Sequence, residues 1–421
     1  MKKMKDLNYH FGLKVRIYPS LEQKKTIMVN CYAARSVYND LVAINRELYQ
    51  LKRVGIYIDT VARRIEQLEA RRKKITELRN HYPYLYDSRI DSCALVDARL
   101  NYKKAWNNWK KVHRTGVPNF HKKSYRSSYQ TNAQYAKGAS MDVFSSTGAK
   151  FLDFDHIQLP KLGRLRISGS QKRILKSKTD IRLGTVTVSR DAADRYFASF
   201  QLGSDTPFVK ELPKTGKQLG VDLNLDNFLT DSNGAVVDNP RYYRKLQKRL
   251  AKAKRKLGKR CARAKKEKRP LWSAKNYQKQ RILVAKMEDR IRNQRSNFIG
   301  CLTMALVENQ DLVVAERLMS KNMAKNHAIA LSITDAGWRE FLSKMGSKAE
   351  MYGKTFIMID PRNTTQTCSN CGFIMGKHGT EKLTLKDREW RCPKCRKFHI
   401  RDWNAARNIL AKGMKKLSET G

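Results

Sequence analysis

The sequence predicts a multidomain α/β protein: a barrel or sheet with helices inserted in one loop, followed by an α/β domain on a mixed sheet. Three observations carry this. Hydrophobic periodicity in the first half runs from strand to helix and back. A proline-bearing stretch without periodicity then divides the chain, and the second half alternates short apolar runs with long helical ones.

The first strand is read at residues 9 to 18, YHFGLKVRIY, where Phe11, Leu13, Val15 and Ile17 alternate with polar or small neighbours. Pro19-Ser20 marks a helix start. Helical spacing continues through VARRIEQLEARRKKITELRNHY and SCALVDARLNYKKAWNNWKKVH, and from about Ala133 to Leu202 short strands return. Residues 205–218, with Pro207 and Pro213, read as a linker. The second half opens on LGVDLNLDNFLTDSNGAVVD, a hairpin with its turn at Asp231-Ser232-Asn233-Gly234. Two antiparallel helices follow, turning near Pro270 and Trp272, with Val284, Met287, Ile291, Phe298 and Met304-Ala305 able to pack. After them come a strand DLVVAE, a helix around TDAGWREFLSKMGSKAEMYG, a strand KTFIMIDP, the cysteine pairs and a last helix, RDWNAARNIL.

Composition narrows the function. The chain has 421 residues, 41% of them hydrophobic, enough for real cores. Its 87 Lys+Arg against 38 Asp+Glu give a net charge of +49, which calls for a polyanion such as nucleic acid. Residues 241 to 295 alone hold 23 Lys/Arg and 3 acids, Glu267, Glu288 and Asp289. No apolar run reaches the about 18 residues of a membrane span, and MKKMKDLNYHFGLKV has no continuous apolar stretch of signal-peptide length, so neither membrane insertion nor secretion is expected.

Of eight cysteines, Cys31, Cys93, Cys261 and Cys301 stand singly, whereas Cys368-Ser-Asn-Cys371 and Cys392-Pro-Lys-Cys395 form a CxxC…CxxC pair with 20 residues between. Four soft thiolates at this spacing match a closed, structural Zn²⁺ site in a reducing compartment; His378 and His399 are alternative ligands that four cysteines make unnecessary.

Three acids stand out. Asp222 lies in a strand whose Leu219, Val221 and Leu223 alternate with Gly220, Asp222 and Asn224; Glu316 ends DLVVAE; Asp402 stands in the first turn of the last helix. Each has a bland explanation, and for Asp402 it is helix capping, worth about 1 kcal/mol. Together they could hold two Mg²⁺ ions about 3.5–4 Å apart, because hard cations take carboxylate oxygens. No GxxxxGK[ST], HExxH or GxSxG motif competes with metal-assisted phosphodiester hydrolysis.

These residues resemble the TnpB proteins of insertion sequences, relatives of the compact type V CRISPR effector nucleases. The resemblance is carried by GVDLNLDNFLTD, VVAERLMSKNM, LSITDAGWREFLSKMGSKAEMYG, TTQTCSNCG, CPKC and RDWNAARNI, with FGLKVRIYPSLEQ and IQLPKLGRLRIS matching the N-terminal portion. It implies a β-barrel-like wedge domain over 1–19 and 133–204 with a helical recognition domain, 20–132, inserted. It further implies an RNase H-like (RuvC) nuclease domain over 219–362 and 399–421, interrupted by a zinc ribbon at 363–398. The implied activity is RNA-guided DNA cleavage, with Asp222, Glu316 and Asp402 as catalytic ligands of two Mg²⁺ (Mn²⁺ as alternative) and Cys368, Cys371, Cys392 and Cys395 holding Zn²⁺. The implied partners are a guide RNA and double-stranded target DNA bearing a short adjacent motif, in the cytoplasm and at the nucleoid of a prokaryote. Where relatives often carry Gly two residues after the first acid this chain has Asn224; Arg317 and Ile400 likewise replace acids common beside the second and third. Competing readings are a non-cleaving RNA-guided DNA-binding regulator, a compact type V CRISPR effector, and a strand transferase. The last lacks the isolated Tyr and metal-binding His pair it would need.

Overall fold

In the computed structural model the described residues are 2–53, 58–112, 114–136, 138, 142–318, 327–377, 379–384 and 386–419. They form two compact units, Met1–Phe208 and Val209–Gly421, each taken by itself below.

The first unit is built on an antiparallel sheet of β1 (Tyr9–Tyr18), β2 (Ser127–Asn132), β3 (Lys150–Phe151), β4 (His156–Leu159), β5 (Gly163–Ser168), β6 (Arg182–Arg190) and β7 (Tyr196–Ser204), in the order β2-β6-β7-β1-β5-β4-β3. Its edges approach each other: Thr147 N–H donates to the Gln134 carbonyl at 2.7 Å and Ala149 N–H to that of Asn132 at 3.4 Å, so the sheet curls back on itself. Leu13, Val15 and Ile17 of β1 point into the core, as the alternation requires. Helices α1 (Leu21–Arg53), α2 (Asp59–Lys73), α3 (Ile75–His81) and α4 (Ser92–Lys111) are inserted between β1 and β2, and α5 (Gln171–Lys176) follows β5. The start of α1 is a capping box, with Gln23 N–H on Ser20 Oγ at 3.2 Å and Ser20 N–H on Gln23 Oε1 at 2.9 Å. Strands resume at Ser127, ahead of the expected Ala133. The polar run SSYQTN conceals a strand whose inward residues are Tyr129 and Thr131.

The second unit contains a mixed sheet of β8 (Gln218–Asp222), β9 (Leu229–Asp231), β10 (Val236–Val237), β11 (Leu312–Glu316) and β12 (Thr355–Ile359). The order is β10-β9-β8-β11-β12, with β8, β11 and β12 parallel and β9 and β10 antiparallel to their neighbours. Between β10 and β11 run α6 (Tyr242–Lys266) and α7 (Lys275–Asn309), joined through a turn that contains Pro270 and Trp272 and packed through Leu250, Ala253, Val284 and Ile291. Further along α7 the buried positions are Ile299, Thr303 and Val307; Met304 is half-buried and Ala305 exposed, so the inward face is displaced from the one expected. The helix expected near residue 340 is two, α8 (His327–Ala336) and α9 (Trp338–Met351), broken at Gly337 with φ +72°. The apolar pattern ran on through Trp338 and Phe341 and hid the break. β13 (Glu389–Arg391) and β14 (Phe398–Ile400) form a separate antiparallel ribbon, and α10 (Arg401–Ser418) closes the chain. No helix among the described residues is long and apolar enough to cross a membrane.

Alternation divides the sheet's two faces. Leu219, Val221, Val313 and Ala315 meet α7 and α9 on one side, while Leu312 and Val314 meet Ile409 and Leu410 of α10 on the other. The α10 side is packed so closely that a Cβ on Gly220 would lie 2.2 Å from the Ala406 carbonyl oxygen, and one on Gly413 2.4 Å from Val314 Cγ2.

Two glycine substitutions therefore have opposite expected signs. Gly220→Ala forces α10 off the sheet and destabilises the fold by about 1–3 kcal/mol. Gly258→Ala, mid-α6 with nothing within 4 Å of the new Cβ, stabilises it by about 0.5–1 kcal/mol. Thermal melts of the two variants check this; a Gly220→Ala protein as stable as the parent would contradict the packing.

Candidate functional site

The alternation that buries Leu219 and Val221 turns Gly220 and Asp222 toward α10, and in the neighbouring strand it turns Val314 and Glu316 the same way. Because β8 and β11 are parallel with Val221 beside Ala315, Asp222 and Glu316 stand at the carboxyl ends of adjacent strands. Asp402 lies one helical turn before Ala406, the residue in contact with Gly220. Packing therefore carries all three acids to one end of the sheet. Their oxygens do not converge on a point: among the described residues, only the four cysteines bring three or more ligand atoms within 4.8 Å of one another.

Electrostatics ties the acids together all the same. Asp222 is 7% exposed, and burial, followed by repulsion from Glu316 and Asp402, pushes its carboxyl up to about 8. Arg401 and a hydrogen bond from Asn224 oppose that rise. Glu316, also buried, is raised by desolvation and by Asp360, against the Thr364 hydroxyl, which donates to its Oε1, and the charge of Lys412. Asp402 faces guanidinium groups: Arg401 Nε and Nη2 each lie 3.1 Å from Oδ1, and Arg388 Nη1 lies 3.5 Å from Oδ2. The residue flanking the helix start is Ile400, and no side chain caps it, so the bland explanation for Asp402 fails.

Sequence reasoning missed the residues that hold these acids. Asn408 donates to the Thr364 carbonyl at 2.9 Å and the Thr367 carbonyl at 2.6 Å; Asn404 donates to Thr367 at 2.8 Å and accepts Ser369 N–H at 2.9 Å. The loop whose Thr364 meets Glu316 is thereby fastened to the helix that carries Asp402. The available signal was a pair of Asn four apart on the face of α10 where apolar residues belong, both of them buried. Arg401, nearly buried, also donates to the Thr384 carbonyl, and its N–H to that of Arg388 at 2.8 Å.

The cysteine set is geometrically complete. Cys368 Sγ lies 3.6 Å from Cys395 Sγ, and Cys371 Sγ 3.6 Å from Cys392 Sγ, against about 3.8 Å for the edge of a ZnS₄ tetrahedron with 2.3 Å bonds. The Lys397 N–H directed at Cys395 lowers that thiol to about 6, while burial raises Cys368 to about 12. His399 is buried with Nε2 3.1 Å from Cys368 Sγ; it supports a ligand and leaves the four sulfurs as the donor set. His378 lies outside the described residues, as do residues 319–326.

Comparison with known proteins gives concordant matches. Residues 191–327 match the family described as "Probable transposase" (OrfB of IS605), residues 338–409 the "Cas12f1-like, TNB domain", and residues 9–53 a "Helix-turn-helix domain" of OrfB proteins. That last stretch folds here as strand β1 and the single continuous helix α1. A protein of Streptomyces pristinaespiralis named "Putative RNA-guided DNA endonuclease" is 31% identical over 96% of this chain and 89% of its own length. One of Escherichia coli K12 with the same description and the name InsQ is 25% identical over 96% and 92%. Among solved structures, the "Cas12f1-sgRNA-target DNA complex" is similar in fold at a TM-score of 0.51, with 15% identity, covering 95% of this chain and 98% of that one.

Two outcomes follow from the site. With Asp222 titrating near 8 in the fold and near 3.9 unfolded, the cation-free fold binds more protons between those values. The stability contributed by that proton is complete below about pH 4 and lost as pH rises through about 8. In magnesium-free buffer that leaves zinc in place, Asp222→Asn should melt several degrees above the parent at about pH 8.5, with the gap closing near pH 4; a pH-independent gap refutes the assignment. Cys368→Ser should bind less than one zinc per chain and speed amide exchange at Ser369, read by metal analysis and hydrogen exchange.

Proposed function

The chain belongs to the TnpB family, the OrfB proteins of IS605-type insertion sequences, and on that premise we propose that it is an RNA-guided DNA endonuclease of a transposable element. Its site is Asp222, Glu316 and Asp402, and the observation that carries this reading is Asp222. Asp222 is a carboxyl at the end of a buried strand, raised to about 8 by its own burial and by two neighbouring acids, a cost that a bound cation would relieve.

The donor set fits a pair of Mg²⁺ ions, with Mn²⁺ as an alternative: all hard carboxylate oxygens, no thiolate and no imidazole. Such a pair, when bound, stabilises the pentacoordinate phosphorus and activates water. The chain's own residues prepare the ground. Thr364 and Lys412 oppose the rise that burial imposes on Glu316, and Arg401 and Asn224 do the same for Asp222. Arg401 and Arg388 hold counter-charge beside Asp402.

The finer architecture belongs to this reading. Three antiparallel strands followed by two parallel ones, with acids at the ends of the first and fourth, support an RNase H-like (RuvC) domain over 219–362 and 399–421. The cysteines of the 363–398 insertion suit a structural Zn²⁺ ribbon. The curled sheet with inserted helices supports a wedge domain and a recognition block. The partners are a guide RNA and duplex DNA with a short adjacent motif, both held through phosphates by the cationic surface while base pairing selects sequence. That work places the protein with the DNA in the cytoplasm. A non-cleaving regulator would have no need for three acids at one end of the sheet.

Asp222→Ala should lower two-strand cutting of a matched duplex by about a hundredfold or more and leave guide-RNA affinity unchanged. Purified ribonucleoprotein, Mg²⁺ and labelled duplex test it. Cutting at the parental rate defeats the site assignment.

A further inference from the structure

The mechanism leaves one strongly charged element unused. Helix α6 presents Lys245, Lys248, Lys252, Lys256, Lys259 and Lys266 to solvent on one face, at intervals of three, four and seven residues. From Lys245 to Lys266 the row is about 31 Å long. None of the six makes an ion pair among the described residues; the pairs along this hairpin belong to other side chains, such as Lys254 with Glu288 and Arg263 with Glu267.

The row leads to the turn between α6 and α7, and there Trp272 is 77% exposed, more than any other large hydrophobic side chain among the described residues. The turn is not loose. Arg269 N–H donates to the Ala264 carbonyl at 2.9 Å, Ser273 Oγ to that of Pro270 at 2.9 Å, and Gln278 Nε2 to that of Leu271 at 2.7 Å. Ala274, two residues on, is buried. Backbone and side-chain bonds on both sides of Trp272 hold the indole out in water, where its area is a cost to the isolated protein. An indole fixed at the end of a cationic row has the two parts of a single-strand binding device: ammonium groups along the phosphates and an aromatic face for a base.

We infer that α6 and Trp272 form a binding surface for the guide RNA, the lysine row following its backbone and the indole stacking on an unpaired base. This rests on the RNA-guided reading above and adds where the RNA is held. RNA is favoured over target DNA for two reasons. Bases in target DNA are stacked until the duplex is opened and one strand displaced, whereas folded RNA displays unpaired ones in loops and ends from the outset. A row of like charges with no internal partners also needs a polyanion resident before the target arrives, and the guide is that polyanion.

The test uses the full chain and the RNA that copurifies with it, sequenced and then transcribed in vitro. Trp272→Ala should weaken equilibrium binding of that RNA by about five- to a hundredfold, and Trp272→Phe by less than about threefold. Melting temperatures should match the parent's, because the side chain is 77% exposed. Replacing Lys248, Lys252 and Lys256 by Gln should flatten the salt dependence of log K by about 2 to 3. RNA affinity unchanged in Trp272→Ala, or equal loss in the Ala and Phe variants, overturns the inference. So does a loss that appears only when target DNA is added to a preformed ribonucleoprotein. If the parent retains no discrete RNA, the guided reading itself falls and this inference with it; retained RNA with an indifferent Trp272 removes the inference alone.

Discussion

Everything at the candidate site depends on how closely α10 lies against the sheet. Gly220 on β8 and Gly413 on α10 are the two places where a methyl group would strike backbone or a packed Val, and Ala405 and Ala406 are fully buried between them. Small residues on both partners bring the helix axis near enough for Asp402, in its first turn, to share an electrostatic neighbourhood with Asp222. The acids come from positions far apart in the chain, and no local propensity could gather them. Strand alternation chooses the face, parallel pairing sets the level, and the glycine contact sets the distance.

Charge makes the arrangement paradoxical and then explains it. A chain of net charge +49 has cations in abundance, yet it buries two acids at one end of the sheet with Arg401, Lys412, the Thr364 hydroxyl and the Asn224 amide set against their rise. Were those acids structural, pairing each with a buried Arg would be the simplest answer, and Asp402 shows that such pairing is within this fold's means. Asp222 forms no ion pair among the described residues, and burial, with repulsion from Glu316 and Asp402, raises its carboxyl to about 8. A buried carboxyl without a close counter-charge is costly to fold.

The legible parts of the sequence are those written in periodicity or spacing. Leu13, Val15 and Ile17 announce β1, DLVVAE announces β11, and two CxxC pairs announce a metal-binding cluster without any knowledge of the fold. Strand β2 was illegible because its inward Tyr129 and Thr131 are amphipathic or polar, so alternation vanished. The break at Gly337 was masked by apolar residues that continue the helical pattern on its far side, although the left-handed backbone there is one glycine adopts freely. Asp402 was ambiguous for a sharper reason: a helix cap and a metal ligand both want an Asp in the first turn, and sequence does not show that Ile400 takes the cap position while Asp402 meets Arg401 and Arg388. Asn404 and Asn408 could not be assigned because their work is done on backbone carbonyls, which leave no trace in sequence.

Those asparagines also bear on why a zinc-binding segment should interrupt the chain here. The loop from β12 to Cys368 must pass Glu316 and then α10, and a loop of this kind has little apolar area with which to hold itself. The described contacts supply three fastenings instead: Thr364 on Glu316, Asn408 and Asn404 on the loop carbonyls, and Ser369 N–H on Asn404. Ser369 is adjacent to Cys368, so a metal held by the four sulfurs anchors the far end of the same loop. On the return, Arg401 and Arg388 join the end of the ribbon to Asp402. Glu316 and Asp402 thus take contacts from the segment that carries the cysteines, whereas Asp222 is held by the packing of the sheet.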